Sequence, residues 1–132
     1  MKKKVLVIED NEQNLYLTTF LLEKNGFAVV SAKNGHEGIL AANEIRPDMI
    51  LLDIQLPQID GYTVARRLRK NRELDNVPVV AVTSYAMVGD RERALESGCS
   101  GYIEKPINPD TFISEVKKYF KEAVEKKGED KK

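Results

Sequence analysis

Apolar and polar residues alternate in two distinct ways along this chain. Short runs made up mainly of apolar residues occur at residues 4–8, 27–30, 49–52, 77–82 and 100–103. Continuous runs of this length predict strands buried on both faces, as in a parallel sheet. Between and after them lie segments that we expect to be helical, at about 11–25, 34–45, from about 60, 90–97 and 108–126; in the first and third of these, apolar residues recur every three or four positions. This spacing predicts amphipathic helices.

Residues that start or stop helices fall at the borders of these segments. Gly26 and Gly98 occupy the position that usually closes a helix at its C-terminus. Asn34 is suited to cap the second helix, and Pro47 prevents that helix from continuing. Asn108, followed by a proline and an aspartate, predicts the start of the last helix. The borders therefore agree with the periodicity.

Strict alternation of five strands with five helices predicts one doubly wound α/β sheet with parallel strands. The length of 132 residues fits one domain with one core, and we expect it to span residues 1–127 before a polar tail at 128–132. Right-handed crossovers place the C-terminal ends of all strands on one edge. Ligands of such sheets bind outside that edge, so the residues that leave the strands are the candidate site.

Composition limits the classes of function. With 42% hydrophobic and 32% charged residues, the chain is typical of a globular protein. Lys+Arg 21 balances Asp+Glu 21, which argues against nucleic-acid binding through bulk charge. No apolar stretch is long enough for a membrane span or a signal peptide. The lone Cys99 excludes an internal disulfide and is expected in the core, while the lone His36 is expected on an exposed helix face. We expect a cytoplasmic protein with no membrane partner.

Reactive polar residues follow the predicted strands. Glu9 and Asp10 come after the first strand, Asp53 after the third, Thr83 after the fourth and Lys105 after the fifth. Clustered carboxylates repel one another unless a hard cation lies among them, and oxygen ligands suit Mg²⁺. A lysine and a hydroxyl can donate hydrogen bonds to phosphoryl oxygens. The set therefore predicts phosphoryl transfer to Asp53, assisted by Mg²⁺.

Each of these residues also has a purely structural interpretation. Asp53 could cap the turn after its strand, and Thr83 and Ser84 could cap a loop. Asp10 with Gln13 fits a helix N-cap and its reciprocal partner. A single lysine such as Lys105 is more often solvated than functional. The joint placement of these residues at strand ends, rather than any one of them, favours the functional interpretation.

The motifs around these residues resemble those of bacterial response-regulator receiver domains, over nearly the whole chain from residue 4 to about residue 120. The resemblance implies a flavodoxin-like sheet with strand order 2-1-3-4-5. The segments that carry it are VLVIEDN at 5–11, LDIQLPQIDG at 52–61, VVAVT at 79–83 and YIEKP at 102–106.

This resemblance implies specific roles at the strand ends. Asp53 would accept a phosphoryl group from a sensor histidine kinase or a histidine phosphotransfer protein. Asp10, Asp53 and the backbone carbonyl of Gln55 would bind Mg²⁺, with Glu9 acting through water. The family most often has two aspartates where this chain has Glu9 and Asp10, so the longer side chain of Glu9 is a departure.

The resemblance also implies a conformational switch. Thr83 and Tyr102 match the family's switch pair, and a cis peptide bond is common before the proline at Pro106. Phosphorylation would then alter a surface that binds a downstream protein. Residues 82–87 and 89–90 are most similar to single-domain regulators of bacterial cell-cycle kinases, so a stand-alone receiver is expected.

Two other classes of function use similar sheets. A flavin-binding module would place a phosphate at the same edge, but the acidic Glu9-Asp10 pair would repel it. A phosphatase with an aspartyl intermediate usually has a cap domain or a substrate pocket, for which this length leaves little room. The P-loop motif G-x-x-x-x-G-K-[ST] does not occur in the sequence, which excludes a P-loop nucleotidase.

Overall fold

A computed structural model describes residues 2–84 and 89–130. Strands and helices alternate along it as the periodicity predicts, with a short 3₁₀ helix at Arg72–Leu74 that was not predicted. The strands are β1 (Lys4–Ile8), β2 (Ala28–Ala32), β3 (Met49–Asp53), β4 (Val79–Thr83) and β5 (Gly101–Glu104). The helices are α1 (Glu12–Lys24), α2 (Gly35–Ile45), α3 (Gly61–Leu68), α4 (Asp90–Glu96) and α5 (Phe112–Asp130).

The five strands form one parallel sheet in the order β2-β1-β3-β4-β5. This order confirms the predicted doubly wound fold. In the register of the central strands, Ile8 lies beside Leu52, and Asp53 lies beside Val82. The carboxyl ends of β1, β3 and β4 therefore meet at one edge, as a candidate site at that edge requires.

Apolar clusters cover both faces of the sheet. On one face, Leu52 of β3 belongs to the same cluster as Val64 and Leu68 of α3. On the other face, Leu51 of the same strand belongs to a cluster with Val116 of α5. All five side chains are at most 1% exposed, and burying each contributes about 1.5–3 kcal/mol. Alternate residues of β3 therefore pack against helices on opposite faces of the sheet. This explains why the apolar run of β3 is unbroken.

Helix α1 is capped by a different residue from the one considered above. Asn11 is its N-cap, and its Oδ1 accepts a hydrogen bond from the backbone N–H of Asn14 at 2.9 Å. The alternative that paired Asp10 with Gln13 as a capping box is therefore wrong. Because Asn11 and not Asp10 caps the helix, Asp10 lies before α1, at the carboxyl edge of the sheet. The predicted cap Asn34 is confirmed at α2, and Asp60, near which the third helix was expected to begin, is the N-cap of α3.

The last helix differs from its predicted bounds at both ends. Asn108 does not cap it directly, because its Oδ1 accepts from the N–H of Asp110 in a turn that precedes α5. The helix then starts at Phe112 and continues to Asp130, beyond the expected end near residue 126. Part of the expected polar tail is therefore helical. The domain boundary at residue 127 stays a prediction, and residues 85–87 of the cell-cycle motif lie outside the described residues.

The side chain of Arg69 contacts several loops at the amino edge of the sheet, which is opposite the carboxyl edge of the candidate site. The Arg69 guanidinium donates from Nε to the Gly98 carbonyl at 2.8 Å. Its Nη1 donates to the carbonyls of Leu74 and Val77 at 2.7 and 2.9 Å, and its Nη2 donates to Ser100 Oγ at 3.2 Å. A planar group with five donors suits this divergent set of acceptors. Arg69 therefore connects the end of α3 to the segments that lead into β4 and β5.

Three smaller expectations concern single residues and the membrane. Cys99 is a buried core residue, and burial raises the pKa of its thiol to about 11, as expected of an unreactive cysteine. His36 is exposed on α2. Within residues 2–84 and 89–130, no helix is both long and apolar enough to cross a membrane.

Candidate functional site

Three carboxylates meet at the carboxyl edge of the sheet. Glu9 directly follows β1, and Asp53 is the last residue of the neighbouring β3. One carboxylate oxygen from each of Glu9, Asp10 and Asp53 lies within 4.8 Å of the other two. Glu9 and Asp53 are buried, whereas Asp10 is exposed. The predicted convergence of these residues is confirmed, and together they form a candidate cation site.

Lys105 reaches into this cluster from the far side of β4. Its Nζ lies 3.0 Å from Glu9 Oε1 and 3.3 Å from Asp53 Oδ2. The Lys105 side chain is only 13% exposed, so it is not the solvated turn lysine of the structural interpretation. The peptide bond that follows it, Lys105-Pro106, is cis, as the resemblance implied. One ammonium group thus pairs with two buried carboxylates, and the cluster keeps an excess of negative charge.

The extra length of Glu9 places its carboxylate between two partners. Besides the contact with Lys105, its Oε2 accepts from the backbone N–H of Asn11 at 3.3 Å. Burial raises the pKa of Glu9 to about 7, assisted by its hydrogen bond with Asp53 and opposed by the bond with Lys105. The side chain therefore gains and loses a proton near neutral pH. A bound cation would favour the ionised form.

Contacts hold both oxygens of the Asp53 carboxylate. Oδ1 accepts from the backbone N–H of Gln55 at 2.9 Å, and Oδ2 pairs with Lys105. The Gln55 side chain continues this chain of contacts, since its Oε1 accepts from Ser84 Oγ at 2.8 Å. Sequence reasoning treated Ser84 only as a possible loop cap. The position of Ser84 directly after β4 was the one sign that it lies near the site. Its hydrogen-bond partner Gln55, on another loop, could not be predicted from the sequence.

Thr83 and Tyr102 lie on neighbouring strands that lead to the charged cluster. Thr83 ends β4, is 1% exposed, and accepts through its carbonyl from the Lys105 N–H at 2.8 Å. Tyr102 lies on β5, three residues before Lys105, where its partly buried side chain packs against the α3 side of the sheet. The fold therefore places both residues of the expected switch pair on strands that lead to the site, without making Tyr102 part of the cluster.

The chemistry of this edge suits a hard divalent cation. Its donors are carboxylate oxygens, and Mg²⁺ prefers one or two carboxylates together with waters and phosphate oxygens. The net negative charge left by three carboxylates and one ammonium would be offset by such an ion. An oriented carboxylate, a cation site and a nearby lysine are also the parts needed to place a phosphoryl group on Asp53.

A family model and a curated relative both match this chain over most of its length. A family model described as the response regulator receiver domain matches residues 5–117. The polar-differentiation response regulator DivK of Brucella anthropi is 45% identical over 93% of this chain and 100% of its own length.

Solved structures agree in fold. A CheY-like response regulator receiver domain protein from Methanospirillum hungatei has a TM-score of 0.85 and 29% identity, over 96% of this chain and 99% of its own. The receiver domain of a sensor histidine kinase from Pseudomonas aeruginosa has a TM-score of 0.83 and 30% identity, over 91% and 98%. That domain was crystallised with a magnesium ion coordinated in its active site cleft.

Proposed function

The chain belongs to the response regulator receiver domain family, and we propose that Asp53 is the residue that accepts the phosphoryl group. Members of this family are phospho-accepting signalling proteins that interact with histidine kinases and downstream targets, and they are phosphorylated on an aspartate with Mg²⁺. One observation carries the assignment of Asp53: its buried carboxylate pairs with Lys105 within a cluster that also contains Glu9 and Asp10.

The transfer is a single displacement at phosphorus. An oxygen of the Asp53 carboxylate forms a bond to phosphorus while the bond from phosphorus to a donor histidine nitrogen breaks, and the electron pair leaves with that nitrogen. The Gln55 N–H and the Lys105 ammonium group hold the two carboxylate oxygens before the reaction. We assign Lys105 a second task, which is to neutralise charge on the transferred group.

We assign four groups to a magnesium ion, namely the carboxylates of Glu9, Asp10 and Asp53 and the backbone carbonyl of Gln55. When bound, the ion supplies positive charge to the phosphoryl oxygens. The oxygen-only donor set supports this assignment, as does the magnesium ion in the related Pseudomonas aeruginosa domain.

We further propose that Thr83 and Tyr102 transmit the phosphorylation state to a surface formed by β5 and the last two helices, which binds a downstream protein. Slow attack by water on the phosphorylated aspartate would return the protein to its initial state. Its relatives named DivK are polar-differentiation response regulators, and we extend a role in polar differentiation to this chain. The cytoplasmic location expected from its composition remains a prediction.

Acetyl phosphate tests the assignment of Asp53 without a partner protein. With Mg²⁺, intact mass spectrometry should show one added phosphoryl group on the wild type and none on Asp53→Asn. Chelation of the metal should prevent labelling of the wild type. Asp75→Asn is the matched control, because Asp75 is an exposed aspartate after the 3₁₀ helix. Undiminished labelling of Asp53→Asn would refute the assignment.

A further inference from the structure

Tyr119 of α5 makes two hydrogen bonds to the backbone of Tyr102. Its hydroxyl accepts from the Tyr102 N–H at 3.1 Å and donates to the Tyr102 carbonyl at 3.1 Å. Both groups belong to β5, which is an edge strand of the sheet and, among the residues that the structure describes, pairs with β4 alone. On such an edge, the N–H and C=O groups that face outward have no strand partner. The Tyr119 hydroxyl supplies the missing partner at one residue, Tyr102.

The neighbouring residue makes this contact possible. A Cβ atom at Gly101 would lie closer than 3.0 Å to three ring atoms of Tyr119. Any side chain at that position would therefore displace the ring. The Tyr119 ring also lies 5.6 Å from the Lys118 ammonium group and packs against the apolar cluster on the α5 side of the sheet. Its position is thus fixed from several directions.

The side chains of Tyr102 and Tyr119 lie in different environments. Tyr102 packs against the cluster on the α3 side, whereas Tyr119 packs against the cluster on the α5 side. Contact between the two residues is made through the backbone of β5. A change in the Tyr102 side chain can therefore take place while Tyr119 holds the strand.

We propose that Tyr119 is a positioning residue for the switch, which anchors the β5 backbone at Tyr102 so that phosphorylation moves the Tyr102 side chain and not the strand. This inference rests on the proposed switch role of Tyr102. It also specifies how a partner recognises the surface. Because the Tyr119 hydroxyl occupies the outward N–H and C=O of Tyr102, a downstream protein would contact side chains there instead of adding a strand to the edge.

Two variants test the anchor in the full chain. Tyr119→Phe removes the hydroxyl and keeps the ring, whereas Gly101→Ala keeps the hydroxyl and displaces the ring. In both, the Tyr102 amide proton should exchange with solvent roughly tenfold faster than in the wild type, as measured by NMR. Tyr16→Phe is the control, since Tyr16 is 74% exposed on α1. Unchanged exchange at Tyr102 in Tyr119→Phe would overturn the proposal.

A second measurement distinguishes positioning from a general structural role. With Mg²⁺ and acetyl phosphate, wild type and Tyr119→Phe should be labelled to the same extent by intact mass. The change in the amide chemical shifts of β5 on phosphorylation should instead become larger in Tyr119→Phe, because the strand is no longer held. Equal shift changes in the two proteins, or a loss of labelling in Tyr119→Phe, would overturn the proposal.

The proposed function can fail separately from this inference. A wild type that acetyl phosphate does not label would refute phosphorylation of Asp53 and, with it, the link between Tyr119 and a switch. Faster amide exchange at Tyr102 in Tyr119→Phe than in the wild type would still show that Tyr119 holds the strand. Labelling without a difference between Tyr119→Phe and the wild type would leave the function intact and remove Tyr119 from the switch.

Discussion

Replacing Glu9 with glutamine should remove a pH-dependent loss of stability from the metal-free protein. The Glu9 carboxyl has a pKa of about 7 in the fold, against an ordinary value of 4.5, chiefly because it is buried. The folded protein therefore binds a proton at Glu9 more tightly than the unfolded chain does. Stability from this source is fully present below pH 4.5, and it is lost as the pH rises through about 7.

The size of this loss follows from the shift. At 1.36 kcal/mol per pKa unit, the difference between the two values corresponds to about 3 kcal/mol in total, of which about 2 kcal/mol falls between pH 5.5 and pH 8. The Glu9→Gln amide does not titrate in this range, yet it can still donate a hydrogen bond toward Asp53. The variant should therefore gain about 2 kcal/mol over the wild type between these two pH values.

Urea unfolding measures this difference directly. The chain has no tryptophan, so far-UV circular dichroism at fixed ionic strength, with a chelator present, is the suitable signal. With a typical slope, the midpoint difference between Glu9→Gln and the wild type should grow by about 1 M urea from pH 5.5 to pH 8. Glu12→Gln, an exposed control in the first turn of α1, should follow the wild type. Parallel pH profiles for the wild type and Glu9→Gln would refute the reasoning.

Four further predictions concern the candidate site and the helix cap beside it. Asp53→Asn should stabilise the metal-free protein at pH 8 by about 1 kcal/mol, because it relieves carboxylate repulsion only partly offset by Lys105. Mg²⁺ should stabilise the wild type by about 2.7 kcal/mol at a hundredfold excess over its dissociation constant. Urea unfolding measures both effects. A wild type whose stability does not change with Mg²⁺, together with a destabilised Asp53→Asn, would contradict both predictions. Thr83→Ala should be phosphorylated nearly normally but should bind a downstream partner more weakly in pull-downs, whereas equal binding would count against the switch. Asn11→Ala should cost about 1 kcal/mol in urea unfolding through the lost cap, and Asp10→Ala should not; equal losses would reject the assigned cap.

The sequence was sufficient to predict which residues meet at the sheet edge. Apolar runs indicated parallel strands, and the fixed hand of their connections placed Asp53 and Glu9 on the same edge of the sheet. That their strands are neighbours follows from the strand order implied by the family resemblance. Lys105 follows a more distant strand, but the same rule placed it on that edge. Its distances to both carboxylates confirm the convergence.

Contacts between loops could not be predicted in the same way. Whether Asp10 or Asn11 caps α1 depends on a one-residue choice, and both residue types cap well. The bond from Ser84 to Gln55 depends on how two loops fold toward each other, and no periodicity encodes that. The position of Tyr119 depends likewise on how α5 packs beside β5. Topology thus predicts the positions of strand ends, whereas side-chain partners across loops require the structure.

The hydrogen bonds of Arg69 have a consequence for protein engineering. Residues inserted near Leu74, Val77 or Gly98 would carry these carbonyl groups away from the guanidinium that they share. Lysine could not replace Arg69, because a single ammonium group cannot reach acceptors that diverge in this way. Insertions and split points made in these segments should therefore lower the yield of folded protein. The exposed loop tip at Gln58, away from the Arg69 contacts, has a positive φ of 68°, and glycine there should be tolerated or even favourable.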